Sequence, residues 1–480
     1  MRIVTDGTRL RDEHGRERVF HGINLVAKGD HEPHGSFIDR GFKGTWTKHD
    51  LEDLAARGFT LVRLGVMWAA VEPEPGAYDK DYLDWIVEQL DLIHDAGMAV
   101  LLDSHQDLYS QSFGDGAPYW ATLSGHQFAA TELWSDAYLT SAALHEALDA
   151  FWTNAPGPGG VGLQERFAAM WAHVAAKVGE HPAVVGYDLL NEPAPGSAAP
   201  DIFAALIGTF ATVTGQDPHQ VFADFEDPDA KLAQLARLED EDVYRKIGDA
   251  TVPLVQAFET DSVGPMMERV AAAVRAVDGE TLLAREHSYF ANMGVPSGQP
   301  ALADTAWVYS PHGYDLTVDS PAIALSSNIR AGVIFSRHKE TQNRLAVPVI
   351  VGEWGALSLG EGVHAHGEFL LDLFDSYGWS WTYWVWEPGF AGSEAAATLD
   401  RPRPIAFAGT AQSWRVEGKA LHATWEGQDG EQPSVFFVPE WAQTQPITVR
   451  RDGVEIAVRQ DGPWISVDPG LGYFELSPAR

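Results

Sequence analysis

The chain has 480 residues, with 33 Lys and Arg against 68 Asp and Glu, and its formal charge of −35 repels phosphate backbones and anionic bilayers, so no nucleic-acid partner is expected. A hydrophobic content of 45% with 17 Trp and 22 Phe is ample for a large core plus a smaller companion domain, and no window approaches the ~18 consecutive apolar residues of a membrane span. The absence of cysteine excludes disulfides, thiolate metal sites and a cysteine nucleophile.

The N-terminus, Met1 to Gly7, is polar and strand-like and lacks an apolar run of signal-peptide length. The expectation is a secreted or cell-surface protein whose signal has been removed, with a cytoplasmic location as the alternative. Val19 to Val26 reads as a first buried strand, and Thr47 to Arg57 as a helix opened by a Thr47/Asp50 capping box and closed by Gly58. Thr60 to Val66 is a second strand. An amphipathic helix follows from Asp79 to Ala96, with Tyr82, Trp85, Ile86, Leu90 and Ile93 at helical spacing, and then a third strand from Met98 to Leu102.

Ser104 to about Gly160 interrupts this alternation with an aromatic-rich insertion. Part of it, Leu133, Trp134, Tyr138, Leu144 and Leu148, has the spacing of a helix core face, and the rest is available to shape a binding site. Gly162 to Val178 is a helix, Ala183 to Leu190 a fourth strand, and Asp201 to Val277 is helical, with Asp227 to Asp242 as a solvated face. Strands five to eight are placed at Thr281 to Arg285, Trp307 to Ser310, Val347 to Val351 and Ser380 to Val385, with helices at Ser326 to Asn343 and Val363 to Tyr377. Strand alternating with helix eight times predicts a closed parallel sheet, an α/β (β/α)8 TIM barrel spanning residues 1–399. From about Arg401 short alternating segments replace this texture, and residues 400–480 are expected to form a C-terminal antiparallel β-sandwich.

Two glutamates stand where buried strands run out. Glu192, in Asn191-Glu192-Pro193, follows the fourth strand, and Glu353, in Gly352-Glu353-Trp354, follows the seventh. Barrels collect catalytic groups at these ends, and a pair of carboxylates in different environments is what glycoside hydrolysis needs. Further polar residues gather at the same predicted ends: Arg63, His105 with Asp107, Asn191, His312 with Tyr314, and Trp384. Each alone has a plain structural explanation. Arg63 could be a salt bridge of the barrel floor, His312 a satisfied core histidine, and Trp384 simple packing. His31/His34 and His364/His366 are close pairs, read as exposed loop histidines, because no His-Glu-x-x-His helix or acidic cluster completes a metal site. No metal and no cofactor are expected.

With His105-Gln106-Asp107, Asn191-Glu192-Pro193, Glu353-Trp354-Gly355 and Trp384-Val385-Trp386-Glu387, the chain resembles glycoside hydrolase family 5, the cellulase-like family, and within it the endoglycoceramidases, over about residues 18 to 475. The resemblance implies a retaining endo-β-glycosidase that cleaves between oligosaccharide and ceramide, with Glu192 as general acid/base and Glu353 as nucleophile ~5–5.5 Å apart. It implies that Arg63 and Tyr314 hold Glu353, that His312 orients the pair, and that Asn191 bonds the sugar 2-hydroxyl. Lys28, His105, Asp107 and Trp384 are implied as sugar contacts. The expected partner is a glycolipid, reached through transient contact with a membrane or micelle by a protein expected to be monomeric. An endogalactosylceramidase, a cellulase-like polysaccharide endohydrolase and a non-catalytic carbohydrate-binding protein are the alternatives.

Overall fold

The computed structural model describes residues 1–28, 41–318, 322–357 and 362–479. Eight parallel strands form the barrel wall: β1 (His21–Leu25), β2 (Leu61–Met67), β3 (Ala99–His105), β4 (Val184–Asp188), β5 (Leu282–Arg285), β6 (Trp307–Tyr309), β7 (Ile350–Val351) and β8 (Ser380–Tyr383). Their order is β7-β8-β1-β2-β3-β4-β5-β6. A parallel bridge between Tyr309 and Val349, with the Tyr309 N–H donating to the Pro348 carbonyl at 3.0 Å, closes β6 onto β7. All eight predicted strands are present; six are shorter than their apolar runs, β2 is shifted by one residue at equal length, and β3 runs on through the polar Asp103 to His105.

The strands are buried on both faces, which is why they read as unbroken apolar runs. Along β3, Val100 and Leu102 join the core beneath the helices, whereas Ala99 and Leu101 fill the lower barrel interior. Toward the strand exit the inward positions turn polar, with Asp103 and His105. The β5 strand repeats this, with Leu282 and Ala284 low in the interior and Glu286 just past the exit. An apolar floor under a polar roof is thus written into each strand.

The helices cover the wall with their predicted faces. Lys80–Asp95 buries Tyr82, Leu83, Ile86, Leu90 and Ile93, and the Asp79 side chain caps its start by accepting from the Asp81 and Tyr82 N–H groups. The capping box of Lys48–Ala56 forms as expected, Thr47 and Asp50 each bonding the other's backbone N–H. In the insertion, Tyr138, Leu144 and Leu148 are core while Leu133 and Trp134 are half-buried. The stretch Asp227 to Asp242 is less solvated than its charge suggests, because Gln234, Leu235 and Leu238 are buried among the helices that follow β4.

The sandwich differs from expectation at its N-terminal side. The strands Ile3–Asp6, Arg9–Asp12 and Glu17–Arg18 join Arg403–Phe407, Ser434–Phe437, Trp464–Val467 and Arg459–Asp461 in one seven-stranded sheet. Residues 1–18 therefore belong to the sandwich sheet, not to a barrel beginning at residue 1. Four-residue strands have no independent stability, and their partner lies some four hundred positions away, a pairing that local periodicity does not encode. The same hairpin seals the barrel floor. Ile3 and Leu10 pack with Leu61, Ala99, Leu282 and Ile350, and Met1 and Thr5 bond the Pro182 and Thr305 carbonyls ahead of β4 and β6. A five-stranded sheet completes the sandwich around Phe407, Trp414, Trp425, Phe436 and Phe474.

Candidate active site

Arg63 points up the barrel axis from β2 and is fully buried. Its guanidinium donates to Asp188 Oδ2 at 3.0 Å, Asn24 Oδ1 at 3.0 Å, Glu353 Oε1 at 2.8 Å, Asn191 Oδ1 at 2.9 Å and Glu286 Oε1 at 2.9 Å, with Asp103 Oδ1 in ion contact at 2.8 Å. Burial opposes its charge, but Asp103, Asp188, Glu353 and Glu286 outweigh this and hold the guanidinium more firmly protonated than usual. One planar fork thereby ties together the exits of strands that only the closed barrel brings side by side.

Beyond β6 and β7, His312-Gly313 and Glu353-Trp354 form a short parallel ladder with His312 opposite Glu353. Gly352 permits this approach, since a Cβ there would stand 2.6 Å from His312 Nε2 and 2.7 Å from Ser310 Oγ. His312 Nδ1 lies 3.0 Å from Glu192 Oε1 and 3.5 Å from Glu353 Oε2, and its Nε2 lies 3.2 Å from Glu286 Oε1. Burial opposes its protonation, yet Glu286 and Glu353, with the bond to Glu192, raise the imidazole well above its ordinary range. An imidazolium thus stands between the two glutamates, whose carboxyl oxygens lie within 4.8 Å of each other and of the ring.

Glu353 also accepts from the Tyr314 hydroxyl at 2.7 Å. Burial lifts this carboxyl above the usual carboxylate range, with Glu192 adding to the rise, while His312 and Arg63 pull the other way. Its ionisation therefore depends on those two cations, a sharper condition than simple separation of the glutamates. Glu192 sits at φ +44°, a left-handed conformation that a non-glycine residue keeps only when its surroundings enforce it. Here its N–H donates to Glu286 Oε2 at 2.7 Å, and Gln106 Nε2 donates to the carbonyls of Asn191 at 2.7 Å and of Glu192 at 3.1 Å. The strained turn aims the side chain into the barrel mouth.

The proposed sugar contacts form a second cluster. The Lys28 ammonium bonds Asp107, lies 3.8 Å from Asp115 and stands 5.3 Å from the centre of the half-buried Trp384 ring. Trp384 stacks on His105, with centroids 5.2 Å apart and planes 11° off parallel, while His105 Nδ1 is held by Asp103 at 2.8 Å. Burial opposes charge on His105, but Asp103 and Asp107 raise it to about 10. Among the described residues three groups of carboxylates and imidazoles have metal-like spacing, but Lys28 already sits against Asp107 and Asp115 of the first, Arg63 against Asp188 and Glu286 of the second, and the third contains Glu192 and Glu353.

All the residues singled out from the sequence meet at one end of the barrel: Lys28, Arg63, His105, Asp107, Asn191, Glu192, His312, Tyr314, Glu353 and Trp384. The paired histidines need correction. His364 and His366 open the helix His364–Tyr377, and His366 is buried against Asn328, because the helix start folds under the loop beyond β6. His31 and His34 lie outside the described residues. Glu286, Asn292, Asp103, Asp188, Asn24, Gln106 and Asp115 were missed. Glu286 carries the same signature as Glu192 and Glu353, an acid directly after a buried strand. Burial raises it to about 8, and its oxygens are taken up by Arg63, His312 and the Glu192 N–H.

A family model described as Cellulase (glycosyl hydrolase family 5) matches residues 37–389. Endoglycoceramidase I of Rhodococcus hoagii (strain 103S) is 36% identical over 196 residues, 41% of this chain and 37% of that protein. The chain therefore matches somewhat over a third of the length of that curated relative. Endo-glycoceramidase II from Rhodococcus sp., solved as a ganglioside GM3 complex, superposes with a TM-score of 0.76 at 24% identity, covering 99% of this chain and 100% of that one. A solved endogalactoceramidase gives a TM-score of 0.70 at 22% identity over 100% of both chains, so the fold is shared across barrel and sandwich alike. With its family match running from residue 37 to 389, across β2 to β8, and with the paired strand-end glutamates in place, the chain belongs to the cellulase family, glycosyl hydrolase family 5.

Proposed function

We propose that this protein is a retaining endo-β-glycosidase that cleaves the bond between oligosaccharide and ceramide in glycosphingolipids. The observation that carries this reading is the approach of the Glu192 and Glu353 oxygens to within 4.8 Å of each other. That spacing suits direct attack, since inversion needs about 6.5–9.5 Å for an intervening water. The ceramide side of the proposal rests on likeness to proteins named endoglycoceramidase.

In the first step a Glu353 oxygen attacks the anomeric carbon, the bond to the ceramide oxygen breaks, and the Glu192 proton passes to that oxygen, releasing ceramide as an alcohol. In the second step Glu192, now a carboxylate, takes a proton from water. The water oxygen bonds the anomeric carbon as the Glu353 ester breaks, and both carboxyls return to their starting states. Arg63, Tyr314 and His312 stabilise Glu353 as the leaving carboxylate. Trp384 offers an aromatic face to a pyranose, and the Lys28, His105 and Asp107 cluster offers donors and acceptors to its hydroxyls.

A lipid-facing side is supported by the loops beyond β6 and β7. Ile323, Ile329 and Val363 line a cavity of about 350 Å³ there together with the polar Glu239, Ser326, Asn328 and His366, and Leu325 and Ile329 are exposed beside it. Action at a membrane or micelle outside the cell is the setting this reading favours. Incubation with a fluorescent ganglioside, a galactosylceramide-series glycolipid and carboxymethyl-cellulose decides between the readings. Intact oligosaccharide from the ganglioside supports the proposal. Release from the galactosyl series alone favours the second reading, an endogalactosylceramidase, which the fold match to that enzyme motivates. Cleavage of the cellulose alone refutes a glycolipid substrate.

A further inference from the structure

A row of buried hydrogen bonds leads away from Glu192 into the barrel wall. Asn292, in the short 3-10 helix Tyr289–Met293 after β5, donates its Nδ2 to Glu192 Oε1 at 2.7 Å. His287 Nε2 lies 2.7 Å from Asn292 Oδ1, and His287 Nδ1 lies 2.6 Å from the Tyr309 hydroxyl at the end of β6. All four side chains are buried.

The polarity of the row follows from His312. As an imidazolium it donates its Nδ1–H to Glu192 Oε1, so that oxygen is an acceptor, the amide turns its NH2 group to it, the amide oxygen accepts and His287 carries its hydrogen on Nε2. Burial and the neighbouring His338 hold His287 well below the ordinary imidazole range, leaving it neutral with a bare Nδ1. That nitrogen accepts from the Tyr309 O–H. Neither Asn292 nor His287 can turn without breaking two bonds, and the Tyr309 oxygen also lies 3.4 Å from His338 Nδ1.

The consequence falls on Glu192. Its Oε1 takes two donors, Asn292 Nδ2 and His312 Nδ1, the latter at 3.0 Å. Its Oε2 makes no hydrogen bond among the described residues. An acid with donors converging on one oxygen carries its proton on the other. We infer that Asn292, locked by His287 and Tyr309, is a positioning residue that reserves Oε1 as an acceptor and so places the transferable proton on Oε2, facing the leaving group. The inference rests on the hydrolase reading and extends it to three residues outside the predicted set.

The groups facing the Glu192 carboxyl are His312 beyond β6, Glu353 beyond β7, Tyr138 of the insertion and, through the Glu192 N–H, Glu286 beyond β5. Arg63 reaches the neighbouring Asn191. Against this background Asn292→Ala removes a donor to the ionised form. The Glu192 titration, followed by carbon-13 NMR of labelled glutamate and assigned by its loss in Glu192→Gln, should rise by about half to one pH unit. Asn292→Asp keeps the shape and should raise it at least as far.

Kinetics supply the readout that a purely structural role would not move. With an alkyl β-lactoside, whose leaving group needs the proton, kcat/KM should fall about 10- to 100-fold in Asn292→Ala. With dinitrophenyl β-lactoside, whose leaving group does not, it should stay within about 3-fold. Tyr309→Phe should show the same split at smaller size. Equal losses on both substrates, or an unmoved Glu192 titration, overturn the inference. A wild-type protein inert toward both lactosides and toward glycolipid overturns the hydrolase reading itself, while the titration still reports the Asn292 bond.

Discussion

Arg63→Lys keeps the positive charge at the heart of the site and removes the planar fork. The guanidinium makes five hydrogen bonds, to Asp188, Asn24, Glu353, Asn191 and Glu286. An ammonium has three hydrogens on one atom and a shorter reach, so at least two of these bonds are lost, and three of the five acceptors are carboxylates. At about 1.5–3 kcal/mol for each hydrogen bond to a charged group, the loss is about 3–6 kcal/mol, in line with the ~3–5 kcal/mol typical of breaking a buried ion pair. If the bond to Glu353 is among those lost, that carboxyl rises by a further ~1–2 pH units at 1.36 kcal/mol each. In the proposed mechanism Glu353 attacks only as an anion, so the acid limb of kcat/KM moves to higher pH by the same amount. The assay is kcat/KM for dinitrophenyl β-lactoside from about pH 4 to 8, alongside thermal melting to show that the variant is folded. A folded Arg63→Lys protein with its acid limb unmoved and activity within about 3-fold of wild type would falsify the view that the fork keeps Glu353 ionised.

Glu353→Gln should abolish turnover of every substrate, whereas Glu192→Gln should abolish it on glycolipid but allow the glycosyl-transfer step with dinitrophenyl β-lactoside, seen as a burst of dinitrophenol; near-normal rates in either variant on glycolipid sink the assignment. Tyr314→Phe removes a donor to Glu353 Oε2, so its acid limb should move up by about 1–2 pH units, and a downward shift contradicts the role. His105 is held at about 10 in the fold against an ordinary value of 6.5, so its contribution to stability is complete below pH 6.5 and is lost as pH rises toward 10. Melting temperature should therefore decline less steeply across that window in His105→Gln than in wild type, and parallel curves argue against a charged His105. Thr47→Ala removes an exposed helix cap that touches none of the site residues and should cost about 0.5–2 kcal/mol in denaturant melts.

The repeat of strand and helix was legible because each element solves a local problem. The strands are apolar on both faces, the helices carry one apolar stripe, and glycines and caps mark the ends, so eight strands and the change of texture after residue 400 could be read along the chain. Glu192 and Glu353 were legible for the same reason, as acids stranded where apolar runs stop. His312, Tyr314 and Arg63 were legible as polar groups at predicted strand ends, but their roles came from resemblance, since a lone histidine or arginine in a sequence does not announce what it faces.

What the sequence determined by itself is the set of groups at the barrel mouth, because placing a residue at a strand exit needs only the neighbouring ten or so positions. What only the tertiary structure decided is who holds whom. The pairing of residues 17–18 with residues 406–407, the five-way grip of Arg63, the use of Glu286 to pin the strained Glu192 turn, and the row from Tyr309 through Asn292 to Glu192 all join positions far apart in the chain. The first arises from assembling the sandwich sheet and the others from closing the parallel sheet into a barrel, which brings distant strand ends within hydrogen-bond range. A short-range pattern carries no record of that closure, and the protonation states on which the chemistry depends are fixed only after it.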